Sequence, residues 1–144
     1  MILPDVNALV YAYRREAPDH ERYAAWLDDL VRGGDDLALT DVVLTGFVRV
    51  VTNPRIVAAP APTAEALAFV DALRRARRAR WLPPTAAAWS RFGRIVAADP
   101  QVRANLVPDG WLAALALTHG CRLATADRGV ARYEGLDWFT PVPP

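Results

Sequence analysis

Three aspartates stand at points where a parallel α/β sheet would bring them together. Asp5 follows the apolar stretch MIL, Asp127 follows RLAT, and Asp109 lies at the start of the helical stretch PDGWLAALALTHG. Each aspartate has an ordinary explanation by itself: a helix cap, a charge beside a helix amino terminus, or a turn in a loop. As a group they suggest a metal site, because clustered carboxylates repel one another and are stabilised by a divalent cation.

The residue types around these aspartates indicate which metal and which chemistry. Oxygen ligands without a nearby histidine or cysteine favour Mg²⁺ or Mn²⁺ over Zn²⁺. Such an ion lowers the pKa of a bound water and neutralises charge on a phosphodiester, so hydrolysis of a nucleic-acid backbone is the predicted reaction. Other chemistries lack their motifs: there is one serine, Ser90, and no glycine-rich phosphate loop, dinucleotide fingerprint or phosphatase motif with a nucleophilic aspartate.

Short apolar stretches alternate with helical ones along the chain, which predicts an α/β fold. Right-handed crossovers would then give a mostly parallel sheet covered by helices on both faces. We expect five strands, at MIL, LALT, RWLP, RLAT and LDWFTPV. Ligands of such sheets collect at the carboxyl ends of the strands, where Asp5 and Asp127 fall. In the helix that precedes RLAT, Asp109 shares a face with Leu112, Ala113 and Ala116.

Length and composition bound the remaining possibilities. The 144 residues suit one domain, 1–144, and no apolar run approaches the ~18 residues of a membrane span. The amino terminus lacks the features of a secretory signal, so we expect a cytoplasmic protein. The single cysteine, Cys121, excludes an intramolecular disulfide framework. The formal net charge of +1 does not by itself indicate a nucleic-acid-binding protein.

The sequence resembles a known family along essentially its whole length. Three segments carry the resemblance: MILPDVNALVYAY, FVRVVTNPR and LVPDGWLAALALTHGCRLATADRGVARYEGLDWFTPV. The sequence is similar to the PIN-domain ribonuclease toxins of the VapC family. The resemblance implies a three-layer α/β/α fold with a parallel sheet of about five strands, a homodimer, and metal-dependent endonuclease action on RNA. It also implies neutralisation by a VapB-type antitoxin. Asp5, Asp109 and Asp127 match acidic active-site positions of the family.

The sequence departs from the family pattern at two positions. Family members carry a glutamate in the third helix, three residues before the arginine that is Arg49 here, and this chain has Gly46 instead. Many relatives carry another acid two residues after the position of Asp127, where this chain has Gly129. One interpretation is an active nuclease that depends strongly on metal concentration. The other is a catalytically weakened module that binds RNA or the antitoxin.

Several further residues are candidates for supporting roles. Asn7 and Thr125 are predicted to hydrogen-bond the carboxylates, and the hydroxyl of Thr45 is a candidate to hold a metal-bound water in place of the missing glutamate. Arg49 is predicted to orient the RNA. Helical spacing places Arg74, Arg77 and Arg78 on one face, which is either a solvated helix end or a phosphate-binding patch. The five tryptophans are assigned mainly to the core, with a dimer or antitoxin groove as the alternative.

Overall fold

The computed structural model describes all residues, 1–144, and contains a five-stranded sheet. The strands are β1 Ile2–Pro4, β2 Leu37–Leu39, β3 Ala79–Trp81, β4 Arg122–Ala124 and β5 Trp138–Phe139. All pairs are parallel, and the strand order is β3, β2, β1, β4, β5. The prediction of a parallel sheet of five strands is confirmed.

Six α-helices connect the strands. They are α1 Val6–Tyr13, α2 His20–Asp29, α3 Asp41–Val51, α4 Thr63–Arg74, α5 Ala86–Ala98 and α6 Val107–His119. Helices α1 to α4 contact one another, while α5 packs along α6. Because the crossover from β3 to β4 reverses the direction in which the sheet grows, right-handed connections put these two groups on opposite faces. The predicted α/β/α layering follows from this arrangement.

One hydrophobic core of 28 buried residues surrounds the sheet. In α3, the buried residues recur with helical spacing and include Val43, Phe47 and Val51. Phe47 is fully buried and contacts the rings of Tyr13 and Phe69. This packing anchors α3 beside α1 and α4, so it determines which face of α3 is turned toward the carboxyl edge of the sheet.

The five tryptophans divide between the core and the surface: Trp26 and Trp138 are half-buried and pack against the core, as the sequence interpretation expected, whereas two others are exposed. Trp81 is 46% exposed and Trp89 is 59% exposed. Trp89 stacks near Trp111, with ring centroids 4.4 Å apart, and both lie beside Phe92. Alanine and leucine make up much of the buried core, and the rings of Trp81 and Trp89 remain at the surface.

At Pro4, the end of β1 pairs with β4 and not with β2. Proline has no N–H to donate, and the pairing of β1 with β2 is limited to Ile2 and Leu37, whereas β1 and β4 pair at three positions. The next residue, Asp5, donates its backbone N–H to the carbonyl of Ala124 at 2.9 Å. The first candidate aspartate is therefore attached directly to the end of β4.

The predicted arginine face is wrong. Helix α4 ends at Arg74, and Arg77 and Arg78 lie in the turn that leads into β3, because the chain must change direction before β3 starts. Arg78 Nε pairs with Asp36 Oδ1 at 2.7 Å, at the amino ends of the strands. Arg77 and Arg78 are thus at the opposite edge of the sheet from the candidate aspartates.

The helices can also be compared with the length and composition of membrane-spanning helices. No helix combines the length and apolar composition that crossing a bilayer requires.

Candidate active site

A cavity of about 450 Å³ opens at the carboxyl edge of the sheet, between α1, α3 and the start of α6. Its lining includes Asp5, Asp109 and Asp127. Strands β1 and β4, which precede the first and last of these residues, are neighbours at the point where the strand order changes direction. Binding crevices of open α/β sheets form at this point. The fold therefore brings three aspartates that are distant in sequence into one cavity.

The carboxylate of Asp5 is the most firmly held of the three. Its Oδ1 accepts the backbone N–H of Val6 at 2.6 Å, and its Oδ2 accepts Asn7 Nδ2 at 2.9 Å and Thr125 Oγ1 at 2.7 Å. Burial raises the pKa of Asp5, these three donors lower it, and the charge of Asp127 raises it again, with a net upward direction. The hydrogen bonds thus orient a carboxylate whose burial disfavours its charge.

Thr125 and Asn7 connect this carboxylate to the loop after β4. Thr125 is fully buried, and its Oγ1 accepts Asn7 Nδ2 and the backbone N–H of Asp127, each at 3.0 Å. Asn7 Oδ1 accepts the backbone N–H of Ala126 at 3.0 Å. The structure therefore places both residues where the sequence analysis assigned them, between the aspartates that they would orient.

Asp109 has no such support. Burial raises its pKa to about 6, the charges of Asp5 and Asp127 add to the increase, and Arg132 opposes them without a hydrogen bond to the carboxylate. The helix geometry explains the position, because Asp109 is in the first turn of α6 and lies over the sheet edge. Its oxygens are free to accept a ligand.

Asp127 caps the short 3-10 turn Arg128–Arg132. Its Oδ1 accepts the backbone N–H of Gly129 at 2.7 Å, which leaves Oδ2 without a protein donor. A Cβ atom on Gly129 would lie 3.0 Å from Asp127 Oδ1. The small residue at position 129 therefore accommodates the cap, and a larger side chain there would crowd the Asp127 carboxylate.

The donor set fits a hydrated Mg²⁺ or Mn²⁺ better than a closed metal cage. No group of three or more histidine, cysteine, aspartate or glutamate side chains is gathered into a ready-made ligand set. The reason is visible at Asp5 and Asp127, whose carboxylates are turned toward local N–H and O–H donors. Mg²⁺ commonly uses one or two carboxylates and keeps several waters, which agrees with the free oxygens of Asp109 and Asp127.

Gly46 faces the same cavity from α3. Four residues three or four positions away from it, Val42, Val43, Arg49 and Val50, line the cavity. Residues at these spacings share a helix face, so a long side chain at position 46 would enter the cavity between them. The missing glutamate is thus a missing fourth carboxylate of this site.

Val6 explains why glycine is accommodated at this position. A Cβ atom on Gly46 would lie 2.9 Å from Val6 Cγ2, closer than van der Waals contact permits. Val6 of α1 therefore packs against α3 at a position where α3 has no side chain. Gly46 has a packing role, which the sequence alone did not reveal.

Thr45 does not take the place of the missing glutamate, so that prediction is wrong. Its hydroxyl donates to the carbonyl of Asp41 at 2.6 Å, one turn back along α3. Its side chain lines a different depression, together with Leu67 and Trp81. A residue adjacent in sequence to Gly46 is turned about 100° around the helix, which is enough to remove it from the site.

The arginines divide between the site and other surfaces. Arg49 lines the cavity and forms no ion pair. Arg74 instead pairs with Asp71 on its own helix at 3.1 Å. Of the four arginines predicted to contact RNA, only Arg49 is brought to the aspartates.

Two residues near the site were missed by the sequence analysis as candidates. Arg132 and Tyr133 line a small cavity of about 160 Å³ together with Asp109 and Asp127. The hydroxyl of Tyr133 is buried without a hydrogen-bond partner. The only sequence signal was their place in the tail segment RYEGL, since neither charge nor periodicity distinguishes them.

The family model of the PIN domain matches residues 2–136 of this chain. Ribonuclease VapC43 of Mycobacterium tuberculosis is 40% identical over 142 residues, which cover 99% of this chain and 96% of the relative. Ribonuclease VapC31 of the same species is 32% identical over 142 residues, covering 98% of this chain and 99% of the relative.

Two solved structures illustrate the similarity of the fold. VapBC2 from Rickettsia felis, bound to a DNA fragment from its promoter, gives a TM-score of 0.71 at 19% identity and covers 97% of this chain and 98% of that chain. FitAcB from Neisseria gonorrhoeae gives a TM-score of 0.66 at 23% identity, with 98% of each chain covered. At these identities the likeness concerns the fold.

Proposed function

The chain belongs to the VapC family of PIN-domain proteins, and from this premise we propose that it is a metal-dependent endoribonuclease, the toxin of a type II toxin-antitoxin pair. The observation that carries the proposal is the cavity shared by Asp5, Asp109 and Asp127 at the carboxyl ends of β1 and β4. We assign these three residues as catalytic. The substrate is structured RNA of the transfer-RNA or ribosomal-RNA class.

Asp5, Asp109 and Asp127 would hold Mg²⁺ or Mn²⁺. When bound, the ion supplies positive charge that neutralises the phosphodiester and lowers the pKa of the attacking water. In the absence of a cation, burial and the charges of the two other carboxylates raise the pKa of Asp109, so a bound cation would stabilise its charged form. Thr125 and Asn7 keep Asp5 pointed in one direction through the hydrogen bonds described above.

The rest of the cavity suits a nucleic-acid strand. Arg49 offers a guanidinium without an acidic partner, which can contact a backbone phosphate through two N–H groups. Val42, Val50 and Ile56 form an apolar wall that can contact bases and exclude water. Binding of the substrate thus uses both sides of the cavity: charge at the carboxylate end and contact area along α3.

We propose that a VapB-type antitoxin neutralises the activity by occupying the same cavity. The relatives are named VapC ribonucleases, and solved structures of the same fold include VapBC assemblies. Arg49, which has no acidic partner, lines the cavity together with the apolar wall, so an antitoxin segment with apolar and acidic side chains complements this surface. Co-purification with a small protein encoded beside this chain tests the proposal.

Assembly and location complete the proposal. We propose a homodimer, supported by the large apolar side chains left at the surface, including Trp81, Trp89 and Val96. We treat residues 1–144 as a single PIN domain, in line with the one core that surrounds the sheet. An RNA substrate implies action in the cytoplasm.

A second candidate function is favoured by Gly46 and Gly129. With three carboxylates in place of four or five, the fold would serve as a binding module that holds RNA or its antitoxin with little cleavage. The close contact between Gly46 and Val6 argues instead for a site built around glycine. The two functions differ in whether cleavage rises steeply with metal concentration.

Cleavage of RNA across a titration of Mg²⁺ and Mn²⁺ tests the proposed function. We expect cleavage that increases with metal, and its loss in Asp5→Asn, which keeps the shape of the side chain but removes its charge. Asp109→Asn should behave in the same way. Equal cleavage by the parent and Asp5→Asn would indicate a contaminating nuclease, and RNA binding without any cleavage would favour the binding module.

A further inference from the structure

A second cavity, of about 440 Å³, lies on the α5 and α6 side of the molecule. Its basic and hydroxyl-bearing lining residues are Arg91, Arg94, Arg132 and Tyr133. The first two project from one face of α5, three positions apart, and the other two come from the segment after β4. Residues from two separate parts of the chain therefore form one concave basic surface.

This cavity is connected to the active site through shared residues. The small cavity of about 160 Å³ is lined by Asp109 and Asp127, which also line the active-site cavity. The same small cavity is lined by Arg132 and Tyr133, which also line the second cavity. The three cavities therefore adjoin one another at these shared residues, and they mark a path from the carboxylates, past Arg132 and Tyr133, to Arg91 and Arg94.

Two polar groups in this region have no partner within the protein. The Nε of Arg91 and the hydroxyl of Tyr133 are buried and make no hydrogen bond, and Tyr133 as a whole is 5% exposed. A buried donor without an acceptor destabilises the folded state, because it has lost its hydrogen bonds to water and gained none in return. Such groups in a native fold call for an explanation, and an oxygen-rich ligand in the cavity provides one.

The charges of the lining favour an anion. Arg91 and Arg94 form no ion pair, whereas eight of the other arginines do. Asp99 and Glu134 also line the cavity, and Arg132 pairs with Asp99 at 3.7 Å. Three arginines against two acids leave a net positive lining, with the two unpaired guanidinium groups both on α5.

We propose that this second cavity is a phosphate subsite for the RNA backbone on one side of the cleaved bond. The subsite rests on the proposed ribonuclease function, because the path from the carboxylates gives the strand its direction. Arg91 and Arg94 contact phosphate oxygens, and the Tyr133 hydroxyl donates a hydrogen bond along the path. Phosphates carry no base information, so the subsite positions the strand without selecting its sequence.

RNA binding in a cleavage-deficient parent tests this subsite. Asp5→Asn serves as the parent, and a mixed-sequence single-stranded RNA of about 12 nucleotides serves as the probe, measured by fluorescence anisotropy. Adding Arg91→Ala and Arg94→Ala should weaken binding about tenfold at low salt. The slope of log affinity against log salt should become shallower by about 0.7 for each phosphate that the variant no longer neutralises.

The matched control removes the same charge elsewhere. Arg32→Ala with Arg122→Ala deletes two exposed arginines, Arg32 in the turn before β2 and Arg122 at the start of β4, both away from the path. We expect a change in affinity of less than about twofold, since surface ion pairs contribute little. Equal weakening in both double variants, or none in either, would overturn the subsite. If the parent binds a folded transfer RNA but not the single-stranded RNA, the transfer RNA serves as the probe; failure of the parent to bind either RNA would instead overturn the proposed function.

Tyr133→Phe provides a second test that does not depend on charge. It removes the unpartnered hydroxyl and keeps the ring, so the melting temperature should rise or stay equal. Affinity for the RNA probe should fall about three- to fivefold, and in the cleaving enzyme KM should increase while kcat stays nearly constant. A more stable protein with unchanged affinity would show that the hydroxyl does not contact RNA, and would remove Tyr133 from the subsite.

Discussion

A Cβ atom on Gly46 would approach Val6 Cγ2 to 2.9 Å. We therefore expect Gly46→Glu by itself to lower the free energy of unfolding by about 1 kcal/mol. Overpacking destabilises by about 1–3 kcal/mol, and replacing a glycine inside a helix stabilises by about 1 kcal/mol. Cleavage should not increase. Urea unfolding and RNA cleavage at saturating Mg²⁺ measure the two effects.

The double variant Val6→Ala with Gly46→Glu is the companion experiment. Shortening Val6 makes room for the new side chain, so the coupling between the two changes should be favourable. The fourth carboxylate should then tighten Mg²⁺ binding relative to Val6→Ala, detected as a larger increase in melting temperature with Mg²⁺. A single Gly46→Glu variant that is fully stable and more active would contradict this interpretation.

Thr125→Val should impair both stability and activity. The change removes the hydroxyl that donates to Asp5 at 2.7 Å and leaves a half-buried carboxylate with one donor fewer. We expect a loss of about 1–3 kcal/mol in the free energy of unfolding. Because this hydrogen bond lowers the pKa of Asp5, its removal should shift the acid limb of the pH–rate profile to higher pH. Thr125→Ser keeps the donor and should retain the parental profile; an equal shift in both variants would contradict the proposed role.

Asp109→Asn should stabilise the metal-free protein at neutral pH. The folded-state pKa of Asp109 is raised to about 6 from 3.8, so the folded protein holds its proton more tightly than the unfolded chain. Its contribution to stability is complete below pH 3.8 and is lost as the pH rises through about 6. Since the side chain is half-buried, solvent screening limits the effect to about 1 kcal/mol.

Melting temperatures in EDTA from pH 4 to pH 8 measure this difference. The variant should exceed the parent above pH 6 and match it near pH 4. Saturating Mg²⁺ should narrow the gap at neutral pH, because the cation stabilises the parent carboxylate. A constant difference across the whole range would show that ionisation of Asp109 is not the cause.

Arg49→Ala and Arg74→Ala form a matched pair on neighbouring helices. Arg49 lines the active-site cavity without an acidic partner, whereas Arg74 pairs with Asp71 away from it. We expect Arg49→Ala to weaken RNA binding several-fold and Arg74→Ala to leave it unchanged. Binding to a single-stranded RNA in the Asp5→Asn background measures both. The opposite order of effects would indicate that the arginines at the end of α4 and in the following turn form the RNA-binding surface.

Much of the fold was accessible from local patterns. The strands and helices follow from apolar alternation, from Pro108 near the start of α6, and from Gly120, whose φ of +65° ends that helix. The errors occurred where an exposed segment had to change direction. The run RRARRAR continues the helical pattern, yet α4 stops at Arg74 so that the chain can enter β3. The spacing of residues within the run does not show where the chain has to leave the helix to reach β3.

The candidate site likewise has features that the sequence predicted and features that only the structure showed. That Asp5 and Asp127 share an edge was determined by sequence order alone, because parallel strands carry their carboxyl ends together. The roles of Thr125, Asn7 and Val6 depended on which side chains meet across distant segments. Thr45 was misassigned because a helix turns each successive side chain by about 100°, and only its packing shows which direction faces the cavity.

The sequence by itself therefore determined the family, the parallel sheet and the aspartates of the site. Only the tertiary structure decided why position 46 is glycine, how Asp5 is held, and which arginines lie near the carboxylates. The physical reason is the separation in sequence of the residues that interact. The order of strands and the periodicity of helices can be read from residues that are close in sequence. The contact between Gly46 and Val6 exists only after two helices have packed.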